Sequence, residues 1–289
     1  LMPEMFPRQH KNFAVSKVNG SIKLEKVMKP NRLRQLLKEG RVLLGLAHTY
    51  SDAGLLEGMG QGWDFVWLDG QHGQHTYQSL LHAVRTAETL PLATIVRVPA
   101  HSWEVLGQYA DLAPDGLMLP FVNKAEQAQA IVEAVSFPPL GYRSYGGRRV
   151  VDRLGRRYYL DDRLLLVVQI ETMEAVENAD KIAAVEGVDV LFVGPDDLKV
   201  QLGLPIDTPA HASPQIKEIM HTVAEAARKN GKFWGCPAIH PDDFQLVVKS
   251  GAQLVVAGID VYFLKTGANA KLKECQSVLA AQGKAKATP

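Results

Sequence analysis

The chain has 289 residues, of which 46% are hydrophobic and 22% are charged, and its formal net charge is +1. This length suits one α/β barrel, which commonly needs about 250 residues, and the composition is ordinary for a globular protein. The near-neutral charge excludes a global field that would attract nucleic acid or an anionic membrane. No apolar run reaches the roughly 18 residues that a membrane span requires.

The N-terminal segment differs from the rest of the chain, because it is mixed in character and weakly periodic. We therefore expect an extension at 1–28, followed by one barrel domain at 29–285. The start lacks the charged-then-apolar pattern of a secretory signal. Cys236 and Cys275 belong to no paired motif and are expected to be lone buried thiols. Such cysteine usage suits a reducing compartment, so we expect a cytoplasmic protein.

Eight short β-rich apolar runs follow, and stretches of helical periodicity separate them. The runs are 42–48, 64–69, 93–99, 116–122, 164–171, 188–194, 233–238 and 254–259. Most are apolar on both faces, as in "LLLVVQI" and "DVLFV", which is typical of parallel strands buried on both sides. The helical segments are 51–59, 77–88, 102–111, 124–136, 173–185, 213–230, 241–250 and roughly 261–281.

Eight alternations of strand and helix predict an α/β fold of the (β/α)8 TIM-barrel type. A doubly wound open sheet is the alternative, but no Gly-x-Gly-x-x-Gly follows the first run.

One connection, residues 137–163, is long for a barrel loop and rich in arginine. Its seven arginines are Arg143, Arg148, Arg149, Arg153, Arg156, Arg157 and Arg163. Long ordered loops are often functional, so one interpretation is a lid or a site for an anionic part of a substrate. The other interpretation is a solvated segment or a contact between subunits.

The active site of a (β/α)8 barrel lies at the carboxyl ends of its strands, and polar residues end several of the predicted strands here. The second run ends in Asp69-Gly70-Gln71-His72, the third at Arg97, the fifth in Gln169-Ile170-Glu171-Thr172, and the sixth in Gly194-Pro195-Asp196-Asp197. A charged group at the end of an apolar strand loses hydration, and this loss costs free energy unless an ion pair or hydrogen bond compensates it. We therefore expect the chemistry at these four strand ends.

Glu171 and Asp197 end neighbouring strands. Two carboxylates there would bind a hard divalent cation and leave positions open for water and substrate. Alternatively, each pairs with an arginine or caps the next helix. Asp196 competes with Asp197, because one of the two would face inward while the other caps the helix.

Arg97 and His72 are further candidates. A guanidinium at the barrel mouth can grip a carboxylate with two hydrogen bonds, but Arg97 is equally a partner for Glu171 or Asp69. His72 suits proton transfer near neutral pH, although a lone histidine is more often structural. His48, at the end of the first run, is a weaker candidate of the same kind.

Several motifs together resemble the HpcH/HpaI aldolase family, the metal-dependent (class II) pyruvate aldolases. They are "FVWLDGQH", "IVRVP", "LMLPFV", "FPPLGYRS", "VVQIET" and "VLFVGPDDL", which stand in the family's order on the expected strands. The similarity covers roughly residues 43–270.

The resemblance implies roles for the matching positions. Glu171 and Asp197 match the metal carboxylates, and Arg97 matches the arginine at the substrate oxygens. His72 matches the proton-transfer histidine, and Asp111, fourteen residues after Arg97, matches its aspartate partner. Gln169 matches a glutamine that lines the site, and Gly194 with the backbone N–H groups of Asp196 and Asp197 would face the substrate carboxylate. The resemblance also implies magnesium, manganese or cobalt as cofactor and a homohexamer whose C-terminal helices pack across subunits.

The function so implied is reversible aldol cleavage of a 4-hydroxy-2-oxo acid into pyruvate, or a related 2-oxo acid, and an aldehyde. Two departures stand out: Gln71 replaces the family's usual glutamate, and Lys199 replaces a common serine. The alternatives are an acyl-CoA lyase, an oxaloacetate-type decarboxylase, and a 2-oxo-acid binding protein with weakened proton transfer. Lys199 and Lys265 are candidates for Schiff-base chemistry, but neither ends a predicted strand.

Overall fold

The computed structural model describes residues 13–18, 21–26, 31–160, 164–282 and 284. Within them lie ten strands: β1 (Phe13–Val18), β2 (Ser21–Lys26), β3 (Leu43–His48), β4 (Phe65–Asp69), β5 (Ala93–Arg97), β6 (Gly116–Leu119), β7 (Leu165–Ile170), β8 (Val190–Val193), β9 (Phe233–Pro237) and β10 (Leu254–Ile259).

The same residues form twelve α-helices: α1 (Arg32–Lys38), α2 (Ala53–Met59), α3 (Tyr77–Thr89), α4 (Trp103–Ala110), α5 (Ala125–Val135), α6 (Arg148–Leu154), α7 (Met173–Glu177), α8 (Ala179–Ala183), α9 (Pro195–Gln201), α10 (Pro214–Lys229), α11 (Pro241–Lys249) and α12 (Asp260–Ala281). Two short 3₁₀ helices, Tyr158–Leu160 and Ala210–Ala212, complete the set.

Strands β3 to β10 form a closed parallel barrel in the order β10-β3-β4-β5-β6-β7-β8-β9. All eight predicted runs contain one of these strands, so the (β/α)8 prediction is confirmed and the open sheet is wrong. Several strands end earlier than predicted: β6 stops at Leu119, and β7 stops at Ile170. The polar residues of the site therefore stand at, or just beyond, the strand ends.

The structure adds elements that the periodicity did not predict. Strands β1 and β2, which precede the barrel strands, pair antiparallel in a two-stranded sheet of their own. The predicted helix at 173–185 is two helices, α7 and α8, with Asn178 between them. Helices α1 and α6 are also new, and each spans seven residues.

The barrel interior is filled by large side chains opposite small ones. Phe65 and Phe192 are fully buried inside it. A Cβ on Gly45 would lie 2.2 Å from the Phe65 ring, so this strand position needs a residue without a side chain. Such close packing leaves a solid core below the mouth, and the polar strand ends rest on it.

A second apolar layer joins the barrel to its helices. In α10, Ile216, Met220, Val223 and Ala227 are buried at a helical spacing against the sheet. Ser213 caps this helix by accepting a hydrogen bond from the backbone N–H of Ile216. Within the described chain, no helix is both long enough and apolar enough to cross a membrane.

Helix α1 covers the amino ends of the strands. Leu33 and Leu37 are buried against the barrel interior. Arg34 forms an ion pair with Asp189, with 3.0 Å between Nη2 and Oδ2. The Asn31 amide donates to the carbonyl of Asp115, just before β6. This end of the barrel is therefore closed.

The arginine-rich connection is largely paired within the chain. Arg148 pairs with Asp152, and Arg149 and Arg153 both contact Glu88 on α3. Arg163 lies outside the described residues. Several of these arginines thus form ion pairs within the chain, and two of them hold α6 against α3. These contacts favour a structural role for the segment over a site for an anionic substrate.

Candidate active site

The best-defined contact at the barrel mouth joins Asp69 and Arg97. Asp69 ends β4, Arg97 ends β5, and the two are register partners. The Arg97 Nε and Nη2 atoms lie 2.9 and 2.6 Å from the two Asp69 oxygens, and both side chains are buried. Burial alone raises the pKa of Asp69, but the hydrogen bonds and charge of Arg97 lower it overall. This arrangement fixes the plane of the guanidinium.

Arg97 also packs on an aromatic ring. Its guanidinium carbon lies 4.6 Å from the ring centroid of Trp67. Among the described residues, its Nη1 atom has no hydrogen-bond partner. The arginine is thus held on two sides while keeping donor capacity for another group, so pairing with Asp69 and binding an anion are compatible.

Glu171 is the most buried carboxylate of the set, with 1% of its surface exposed. Its Oε1 atom accepts a 2.7 Å hydrogen bond from the backbone N–H of Phe121. Phe121 has φ +50°, a left-handed conformation rare for a residue with a side chain, and this conformation accompanies the contact. Burial raises the pKa of Glu171 to about 7, and the charge of Asp197 adds to the rise while Phe121 and Arg97 oppose it.

Gly194 borders Glu171 on the other side. A Cβ at this position would lie 2.7 Å from the Glu171 Cβ and 2.8 Å from its Oε2. The missing side chain therefore leaves room for the carboxylate at the end of β8.

The two adjacent aspartates of α9 have different surroundings. Asp196 is exposed, and one of its oxygens lies 3.1 Å from Nζ of Lys199, which is buried and also donates to the carbonyl of Ile206. Asp197 is partly buried, and its charge acts on Glu171. These surroundings favour Asp197 over Asp196 as the partner of Glu171, and they engage Lys199 in an ion pair.

Three buried polar atoms in and next to this region lack a hydrogen-bond partner among the described residues. They are Oε1 of Gln169, Nε1 of Trp67 and Oε1 of Gln71. A buried polar group left unsatisfied is costly, so it commonly marks a place where water or a ligand binds. Gln169 was expected to line the site. Trp67 was not, because its position inside an apolar strand gave no sign that its indole N–H lacks a partner.

Within one chain, the structure does not bring His72 and Asp111 together. His72 is exposed in the loop after β4, and its backbone N–H donates to Asp69. Asp111 caps α4, and its carboxylate lies 2.7 Å from Nη2 of Arg143 in the arginine-rich connection. This ion pair was not predicted from the sequence, because the two residues lie 32 positions apart with no motif to connect them.

A pair formed by buried His48 and half-buried His75 supports the loop that carries His72. The Nδ1 atom of His48 lies 3.1 Å from Nε2 of His75, whose Nδ1 contacts Ser79 Oγ at 3.1 Å. Burial, followed by the proximity of His48, lowers the pKa of His75 to about 4. Burial also lowers the pKa of His48. His48 thus belongs to a structural network here.

Comparison with known protein sequences yields a consistent group of relatives. The profile of the HpcH/HpaI aldolase/citrate lyase family matches residues 51–266. A 4-hydroxy-2-oxovalerate aldolase from Novosphingobium aromaticivorans is 35% identical over 262 residues, which cover 88% of this chain and 97% of that protein. A 2-keto-3-deoxy-L-rhamnonate aldolase from Escherichia coli K12 is 33% identical over 236 residues, covering 80% and 87% respectively.

Comparison of folds points the same way. The crystal structure of an HpcH/HpaI aldolase/citrate lyase family protein from Burkholderia cenocepacia J2315 superposes with a TM-score of 0.78 and 27% identity. The match covers 85% of this chain and 99% of that one.

Proposed function

The chain belongs to the HpcH/HpaI aldolase/citrate lyase family, and we propose that it cleaves a 4-hydroxy-2-oxo acid reversibly into pyruvate, or a related 2-oxo acid, and an aldehyde. Its family membership makes it a carbon–carbon lyase of the aldolase type. The observation that carries the substrate assignment is the buried Glu171 beside Asp197, next to an arginine held rigidly at the same mouth. The names of its relatives, aldolases of 2-oxo acids, agree with this substrate class.

The two carboxylates fit a divalent cation. Glu171 is buried, and its hydrogen bond from Phe121 and the charge of Arg97 do not offset its lost hydration, since its pKa stays raised. Oxygen ligands of this type suit magnesium, manganese or cobalt. When bound, the ion would act as a Lewis acid on the 2-oxo acid.

The remaining residues would hold the substrate. Arg97, fixed by Asp69 and Trp67, would direct its Nη1 toward the oxygen on which negative charge develops. Gln169 would use its unpaired buried oxygen in the same pocket. Gly194, which has no side chain, leaves space for the substrate beside Glu171. The backbone N–H groups of Asp196 and Asp197 lie in the first turn of α9, where they lack intrahelical acceptors, and they would donate to the substrate carboxylate.

Cleavage requires a base near the mouth. A base removes the proton from the C4 hydroxyl, the C3–C4 bond breaks, and its electrons move into the 2-oxo group as the aldehyde departs. We assign this proton transfer to His72, which is exposed at the mouth. Protonation of C3 then gives pyruvate.

The pairing of His72 with Asp111 would have to form between two chains, because one chain keeps them apart. We propose that the protein assembles as a homohexamer through α12 and that it resides in the cytoplasm. Exposed apolar residues along α12 support the assembly: Tyr262, Phe263, Leu264, Leu272, Val278 and Leu279.

The test is pyruvate formation from a panel of 4-hydroxy-2-oxo acids, with added Mg²⁺, Mn²⁺ or Co²⁺ and with EDTA. Glu171→Gln keeps the size of the side chain but removes its charge. It should lower kcat/KM by about a thousandfold, corresponding to several kcal/mol of transition-state stabilisation. Glu177→Gln, on the exposed face of the following helix, is the matched control and should leave the rate unchanged.

Other outcomes separate the alternatives. Cleavage that EDTA does not affect would refute the metal-dependent mechanism. Turnover confined to CoA-linked substrates or to oxaloacetate would indicate the acyl-CoA lyase or the decarboxylase. If the protein binds pyruvate without turnover and the Gln71→Glu variant gains turnover, the protein is a binding protein with weakened proton transfer.

A further inference from the structure

A second group of metal-ligating side chains shares no residue with the pair Glu171 and Asp197. His211 belongs to the short 3₁₀ helix between α9 and α10, His240 caps α11, and Asp242 stands in the first turn of α11. We propose that these three residues bind a transition-metal ion of the zinc type, at a site distinct from that of the aldol reaction.

The geometry of the three side chains is close to that of a metal site. Nε2 of His211 and Nδ1 of His240 each lie 3.8 Å from Oδ2 of Asp242. Nδ1 of His240 accepts the capping hydrogen bond of α11 from the backbone N–H of Asp242 at 3.2 Å, and a metal ion at this nitrogen would replace that bond. One ligand atom from each residue lies within 4.8 Å of the others. Ligands about 2.0–2.1 Å from a tetrahedral zinc ion stand roughly 3.4 Å apart, so small side-chain rotations would complete the site.

Asp243 supports one of the ligands. Its Oδ1 lies 2.7 Å from Nδ1 of His211 and also accepts a hydrogen bond from the backbone N–H of His211 at 2.7 Å. A carboxylate that accepts a hydrogen bond from Nδ1–H fixes the tautomer, so Nε2 keeps its lone pair, 3.8 Å from Oδ2 of Asp242. This carboxylate–histidine arrangement commonly accompanies metal-bound histidines.

The local charge also favours a cation. In the portion of the chain that the structure describes, neither Asp242 nor Asp243 forms an ion pair with a lysine or arginine. The amino end of α11 offsets part of their charge. The two imidazole rings have centroids 4.9 Å apart, and each places one nitrogen 3.8 Å from Oδ2 of Asp242.

The ligand types distinguish this site from the aldolase site. Two imidazole nitrogens and one carboxylate oxygen favour zinc, cobalt, nickel or copper, whereas magnesium prefers oxygen ligands. Three protein ligands leave the fourth position open. An ion there would tie the connection after α9 to the start of α11.

The experiment is a Zn²⁺ titration by calorimetry, followed by Co²⁺ absorption spectroscopy, on the full chain without a histidine tag. The background carries Glu171→Gln, and Mg²⁺ is kept in excess, so that zinc at the aldolase site does not contribute. We expect one Zn²⁺ per chain and visible Co²⁺ bands typical of nitrogen ligation. Absence of Zn²⁺ binding in this background would overturn the proposal.

Variants then identify the ligands. His211→Asn and His240→Asn should each weaken Zn²⁺ binding at least tenfold, and Asp243→Asn should weaken it by about tenfold. Asparagine keeps a good helix cap at position 240, so the fold of α11 is retained. His221→Asn, on the exposed face of α10, is the matched control. Equal Zn²⁺ affinity in the control, His211→Asn and His240→Asn would refute the site.

Discussion

The amide of Gln169 is buried two residues before Glu171, and its oxygen has no hydrogen-bond partner among the described residues. An isolated fold gains nothing from such an atom, because its hydration is lost without a replacement hydrogen bond. The position therefore favours ligand binding over stability.

Gln169→Met tests whether this amide favours ligand binding at the expense of stability. Methionine has a similar volume and no amide to satisfy, so the free energy of unfolding should rise by about 1 kcal/mol in urea denaturation. At the same time, kcat/KM for aldol cleavage should fall about 10- to 100-fold. A variant that is less stable yet fully active would show that Gln169 is structural.

Gly194 lies against the Glu171 side chain, so a methyl group at this position should disturb the carboxylate. In Gly194→Ala the new Cβ meets the Glu171 side chain, so the carboxylate must move and activity should fall about a hundredfold. The barrel should remain folded by circular dichroism. Gly107→Ala is the control: a Cβ on α4 there meets nothing within 4 Å, so activity should stay and stability should rise by about 0.5–1 kcal/mol. Equal activity loss in both variants would contradict the prediction.

Sequence reasoning found Arg97 and Glu171 because a charged residue beside an apolar strand is conspicuous. It did not find the N–H of Phe121 or the partner of Asp111, since a backbone donor and a long-range ion pair leave no trace in local composition. The residues alone left Asp196 and Asp197 open, and the family resemblance favoured Asp197. The Asp196–Lys199 ion pair adds a separate reason that depends on the turn of α9.

At the scale of elements, the His48–His75 pair joins the end of β3 to the connection between β4 and α3. Both imidazoles have a lowered pKa and are neutral at pH 7. The unfolded chain takes up protons near pH 6.5, whereas folded His75 does so only near pH 4. Stability should therefore fall as the pH drops through this window.

His75→Gln should reveal this contribution in urea unfolding at pH 7 and pH 4.5. At pH 7 the variant loses its hydrogen bonds and should be less stable than the parent by about 1–2 kcal/mol. At pH 4.5 the difference should shrink, because the parent then carries its penalty. His82→Gln, on the exposed side of α3, is the control. A difference that does not vary with pH would contradict the titration of His75.

The strands were predictable because most of the runs are short and apolar on both faces, which is typical of strands in a buried parallel sheet. Helix α1 was missed because seven residues give two turns of periodicity, and its cap, Asn31, is an ordinary polar residue in the sequence. Helix α6 was missed because arginines conceal its single buried residue, Val150. Cys275, expected to be buried, is exposed on α12, a helix whose described side chains other than Asp260 remain largely uncovered.

At the scale of the whole molecule, α12 extends for 22 residues with an exposed apolar surface. If this surface joins subunits, the double variant Leu272→Lys/Val278→Lys should dissociate the assembly, because charged side chains are costly in an apolar interface. Light scattering after size exclusion should show six times 31.7 kDa for the parent and a smaller mass for the variant. Lys273→Gln is the control, and a monomeric parent would refute the hexamer.

The position of α1 across the amino end of the barrel also affects the route by which substrate enters and products leave. In the described part of the chain, Leu33, Leu37 and the Arg34–Asp189 pair lie across the amino end of the barrel, so substrate and both products would pass through the opposite end. The 2-oxo acid would bind deepest, beside Glu171, and the aldehyde would lie between it and the mouth of the barrel. Product release would then be ordered, with the aldehyde dissociating before the 2-oxo acid.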